Sequence, residues 1–168
     1  NLTDESDSAR MGDIVTNLLI TDLSESHYVQ VVSAQRLHDI LLMIDHDDAD
    51  LIDQNIATEV AQKARASWLL VGSILQTEPV LELSAQIVEV STGDVLATQR
   101  IRGTADDNIF DMVDRLTVQV KHDLALPGAA YNETDRPIAD YTSGSQEAYR
   151  YYLEGLQFMN KAFHEEAV

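Results

Sequence analysis

Between Leu69 and Gly103 the chain reads LLVGSILQTEPVLELSAQIVEVSTGDVLATQRIRG, three apolar runs separated by two turn signals. From Val80 to Val90 the residue types alternate. Leu81, Leu83, Ala85 and Ile87 fall on one side, and Glu82, Ser84 and Gln86 on the other. A period of two marks a half-buried strand, because successive side chains point to opposite faces. Ser91-Thr92-Gly93-Asp94 suits a hairpin turn, with Gly93 at a positive φ. The strand after it is expected to turn Val95, Ala97 and Ile101 inward and Thr98, Arg100 and Arg102 outward. Ser67–Leu75 is apolar at both parities, the pattern of an inner strand. The whole stretch predicts a meander with a dry face and a wet face. It carries no His, no Cys and no obvious nucleophile. We therefore read it as scaffold, whose wet face or edges can receive another chain.

Helical spacing surrounds this meander. Met11, Ile14, Val15, Leu18, Leu19 and Leu23 make one stripe over Ser8–Ser24, with Ser8 as the expected cap. Tyr28–Val32, YVQVV, reads as a short strand. Ser33 caps a second helix with Leu37, Ile40, Leu41 and Ile44 on one face. Ile56, Ala57, Val60, Ala61 and Ala64 mark a third. Asp106 or Asp107 is expected to cap a fourth, whose stripe is Ile109, Phe110, Val113, Leu116, Val120 and Leu124. Pro127–Gly144 is rich in turn formers and reads as a linker. Ser145 then caps a last helix, Gln146 to about Lys161. The fold class this predicts is α/β, of the α+β kind. A mixed sheet ends in an antiparallel meander, helices pack on it, and a helical tail follows. The expected division is a domain over 1–126, a linker over 127–144 and a helical region over 145–168.

Charge and composition narrow the partners. Eleven Lys plus Arg against 29 Asp plus Glu leave a net charge of −18. Such a surface repels nucleic acid and anionic lipid, so neither is expected as a partner. Without cysteine, the chain has no disulfide, thiolate zinc site or cysteine nucleophile. No apolar run reaches the length of a membrane span, so no direct membrane insertion of this segment is expected. The chain opens on NLTDES and stops within helical spacing, and we read it as part of a longer protein.

Several stretches resemble a known family. They are NLTDES (Asn1–Ser6), MGDIVTNLLITDLS (Met11–Ser24), VVSAQRL (Val31–Leu37), IATEVAQKARASWLLVGSI (Ile56–Ile74) and LSAQIVEVSTGDVLATQ (Leu83–Gln99). Together they resemble the TolB amino-terminal-like domain, whose fold is shared by the FlgO and CsgG groups. The likeness covers about three quarters of the chain, and its motifs are structural. It implies a core strand ahead of NLT, which the given sequence does not contain. In the tail, Tyr151, Gly155, Phe158 and Ala167 are spaced like the start of a tetratricopeptide repeat, with Glu154 where a Leu is usual. Without the family, Gly72 reads as a place where a helix or backbone comes close, Gly93 as a turn residue, and Gly12 as packing.

The search for chemistry yields no catalytic, cofactor-binding or metal residues. Asp45–Asp53, DHDDADLID, has five Asp and one His and suggests a hard cation. Counted as a calcium loop, however, it places Asp50 where Gly is required and Ile56 where Glu is required. A solvated capping loop is the preferred reading. His27, His38, His46, His122 and His164 show no ligand spacing, and no phosphate-loop, hydrolase or dinucleotide motif occurs. Trp68 is expected in the core. Asn1-Leu2-Thr3 and Asn132-Glu133-Thr134 match the glycosylation sequon.

The leading expectation is a non-catalytic interaction or sensor module of a larger bacterial regulator with tetratricopeptide repeats. It would have protein partners and would self-associate through a sheet edge or the C-terminal helix. The alternative is a periplasmic or outer-membrane-associated assembly or transport component, and an enzyme ranks third. The compartment, cytoplasmic or periplasmic, stays open.

Overall fold

The structure, a computed structural model, describes residues 5–44, 54–76, 80–104, 107–124, 126, 136–140 and 142–165. The alternating stretch folds as three strands, β1 (Trp68–Gln76), β2 (Glu82–Glu89) and β3 (Val95–Arg102). Their spatial order is β1-β2-β3, and both pairs are antiparallel. The described helices are α1 (Glu5–Ser24), α2 (Ala34–Met43), α3 (Gln54–Ala64), α4 (Ile109–Asp123) and α5 (Gln146–Glu165), with a 3-10 turn at Ile138–Asp140. The class is α+β, as the element order predicts.

The dry face forms where the alternation puts it. Leu83, Ala85 and Ile87 are buried on β2, and Leu70, Ile74, Ala97 and Ile101 pack beside them from the flanking strands. Leu81 is only half-buried. Val95 departs from expectation, being half exposed at 50%. The cause is a register shift. Ile87 pairs with Ala97 but Val88 pairs with Val95, so Leu96 is an extra residue that turns Val95 to the outer face. Gly93 takes the turn with φ 78°. Gly103 closes β3 where a Cβ would lie 3.0 Å from Met112 Sδ and 3.2 Å from the Leu81 carbonyl oxygen. Only glycine fits there without displacing its neighbours.

Three expectations about strands are corrected. β1 is not an inner strand among the described residues but one edge of the sheet. Trp68 is not in the core; it is 45% exposed at the start of that edge. Residues 28–32 form no strand and bond no sheet neighbour among the described residues. The described sheet is accordingly antiparallel throughout. No described helix or backbone makes a close approach at Gly72 either, since the nearest non-neighbouring described atom to a built Cβ is the Ser84 carbonyl oxygen at 3.7 Å.

Helix ends follow local chemistry, with two differences. Ser33 Oγ accepts from the Arg36 amide and Ser145 Oγ from the Ala148 amide, as expected of N-caps. Ser8 is not at the cap position, because α1 already runs from Glu5. Asn108, not Asp106 or Asp107, caps α4. Its Oδ1 accepts from the Phe110 and Asp111 amides, and the Asp111 carboxylate accepts from the Asn108 amide. This reciprocal box satisfies donors that a helix start otherwise leaves unpaired. Asp107 instead ties the preceding turn. Its carboxylate accepts from the Thr104 amide and pairs with Arg115 at 2.7 Å, and its pKa is lowered by the Thr104 bond first and by Arg115 after it.

One cluster joins α1 (Ile14, Val15, Leu18, Leu19, Leu23), the dry face and α4 (Ile109, Phe110, Met112, Val113, Leu116, Val120). Ile138, Tyr149 and Leu153 are buried in the same cluster. The expected boundaries at 126 and 145 therefore cut across the core. Residues 127–135 lie outside the described residues, but Ile138 is fully covered, with its amide bonded to Asp114 Oδ1 at 3.0 Å. Tyr149 meets Phe110 edge-on, their ring centres 6.1 Å apart. Turn-forming composition hid this, because one apolar residue among Pro, Gly and Asp shows no periodicity.

Burial raises the Tyr149 pKa above its ordinary value of 10.0, against a weaker lowering by the Thr21 hydroxyl bond. A raised pKa means that the folded state favours the neutral phenol. Its contribution is intact below the unfolded value and is lost as pH rises through the folded one. Urea unfolding near pH 8 and near pH 10.5 should show a larger alkaline loss for the parent than for Tyr149→Phe. Equal losses would separate Tyr149 from the alkaline transition.

Candidate interaction surface

The described residues contain no group of three His, Cys, Asp or Glu able to hold a metal. Asp45–Asp53 lies outside them, as do both sequons. His27, His38 and His122 fall after α1, within α2 and at the end of α4, and the structure does not bring them together. His46 lies outside the described residues, and so does the His164 side chain. No described helix is long and apolar enough to cross a membrane.

A shallow depression of about 450 Å3 opens where α3 meets the sheet, lined by Gln62, Arg65, Ser67, Glu89 and Ser91, among others. Among the described residues no His lines it, and Glu89 is the carboxylate beside the two serines. Arg65 stands out for its backbone, with φ 58°. The Ala66 amide bonds the Ala61 carbonyl and the Arg65 amide bonds the Gln62 carbonyl. These two bonds are the helix-ending pattern that usually places Gly at its left-handed position. A side chain there costs energy that glycine avoids. Arg65→Gly should raise stability by about 0.5–1 kcal/mol, net of the added freedom of the unfolded chain. A loss in thermal or urea unfolding would mean that the guanidinium makes a compensating contact.

The sheet carries the larger exposed feature. Trp68 and Leu75 on β1 and Val95 and Leu96 on β3 are each 45–50% exposed. Gln86, Thr98, Arg100 and Arg102 are exposed with Val95 on the outer face, where Arg100 reaches Glu82 at 3.4 Å. Its two edges differ in character. β3 has Arg100, Arg102 and the Leu96 bulge, devices that blunt an edge against further pairing. β1 has no charge and no Pro over its nine residues. Sequence reading missed this edge, although the charge-free run Ala66–Thr77 was its signal.

Comparison with known proteins gives no match, neither to a family model nor to a curated protein nor to a solved structure.

Proposed function

We propose that this chain is a non-catalytic protein-interaction or sensor module of a larger bacterial signalling or regulatory protein. The observation that carries the reading is the half-covered sheet. Helices bury its dry face, while its outer side and edges leave Trp68, Leu75, Val95 and Leu96 in solvent. Trp68 and Leu75 lie on one edge strand and Val95 and Leu96 on the other, and large apolar groups exposed at the edges of a sheet are candidates for contact with another chain. The net charge of −18 favours protein partners over nucleic acid or anionic lipid. Continuation into tetratricopeptide repeats remains part of the proposal and rests on the spacing in α5.

Photo-crosslinking in cells tests it. A photoreactive residue at Leu96 or Leu75 should capture protein partners at several times the yield of the same residue at Val118, an exposed position on α4. Equal yields would remove the sheet from the interaction and sink the reading.

A further inference from the structure

We infer that β1 pairs with β1 of a second copy, antiparallel about a two-fold axis at Val71, joining two sheets into one of six strands. The inference rests on the interaction reading above and names its partner. The hydrogen-bond register supplies the first argument. The Val90 amide donates to the Ser67 carbonyl at 3.0 Å. Backbone groups of an antiparallel strand alternate in direction, so Leu69, Val71 and Ser73 bond β2. The N–H and C=O groups of Trp68, Leu70, Gly72 and Ile74 therefore point away from β2, toward the open edge. Trp68 and Gly72 are exposed, and among the described residues no strand pairs at that edge.

Side-chain sizes supply the second argument. With Val71 opposite its own copy, Leu70 falls opposite Gly72, Trp68 opposite Ile74, Leu69 opposite Ser73, and Leu75 opposite Ser67. All but one of these pairs match a large side chain with a small one or with glycine. Among the described residues, chain neighbours aside, only the Ser84 carbonyl oxygen lies within 4 Å of a Cβ built at Gly72, which leaves room for the partner's Leu70. The same register gives the four outward-facing residues of each copy a backbone partner: Trp68 with Ile74 and Leu70 with Gly72. It also covers part of Trp68 and Leu75, two of the large exposed apolar residues of the sheet.

Charge supplies the third. Two chains of −18 repel unless they meet through uncharged surface. β1 is uncharged, and the nearest charges along the sequence are Arg65 before it and Glu78 after it. The β3 edge offers no such uncharged surface, because a two-fold pairing there gathers Arg100 and Arg102 from both copies.

The chain has no cysteine, so Val71→Cys introduces the only one. On the axis, residue 71 forms a non-hydrogen-bonded pair with its copy, with Cα atoms about 4.5 Å apart. That spacing admits a disulfide. The parent should sediment at twice its 18.7 kDa mass, more completely as salt screens the repulsion. Mild oxidation should convert most of Val71→Cys into covalent dimer, but little of Thr98→Cys or Val118→Cys. Val71→Lys and Val71→Glu should each be monomeric with an unchanged circular dichroism spectrum, and mixing them should restore the dimer. A monomeric parent overturns the inference and leaves the interaction reading standing. So does a dimer that Val71→Cys fails to cross-link.

Discussion

Replacing Phe110 by alanine will cost about 3–5 kcal/mol of stability and release the start of α5. Phe110 is 1% exposed and sits at the second position of α4, its amide held by Asn108. It meets Tyr149 edge-on across the cluster that joins α1, β2 and α4 to α5. Truncation leaves a cavity in that cluster and removes the aromatic pair. Denaturant unfolding gives the first number. Amide exchange gives the second: in the parent, amides of 149–153 should exchange nearly as slowly as those of 83–88 in the central strand. In Phe110→Ala, 149–153 should lose more protection than 83–88. Fast exchange of 149–153 in the parent would make α5 a separate unit, and the packing of Tyr149 and Leu153 would not hold in solution.

Leu83→Ala will cost about 2–5 kcal/mol, while its neighbour Glu82→Ala will cost within about 0.5 kcal/mol. Leu83 is 2% exposed on the dry face, paired with Ile101 on one side and Ile74 on the other. Glu82 points the other way, and its ion pair with Arg100 joins a side chain that is 68% exposed. Solvent screens such pairs, so little is lost with the carboxylate. A one-residue slip of the strand would exchange the two faces. Equal costs in paired urea titrations would therefore show that the register is wrong.

Where an element is made by residues close in sequence, its outline was legible from the residues alone. Ser33 and Ser145 cap because a hydroxyl needs only the amide three residues on. Gly93 turns because the hairpin needs a positive φ at that residue. Leu83, Ala85 and Ile87 are buried because their parity matches one face. The errors arise where distant residues decide. Val95 faces outward because of an extra residue in the ladder with β2, a choice between two registers that differ by one position. Ser8 lost the cap because α1 extends to Glu5. Asn108 outcompeted two aspartates because Asp107 is engaged by the Thr104 amide and Arg115.

The candidate surface divides the same way. Alternation, turn residues and the charge-free run from Ala66 to Thr77 are properties of the chain, and they specify a meander containing one strand apolar on both faces. Whether that strand is inner or outer is not a local property. It depends on which segments pair beside it, and 28–32, though rich in β-branched residues, does not pair there. The place of Ile138 and Tyr149 in the core is equally nonlocal, since a single buried side chain gains its free energy from neighbours far along the chain. Periodicity records the environment averaged over a whole element. Edges, bulges and docked segments are settled by individual contacts, and those exist only once the chain has folded.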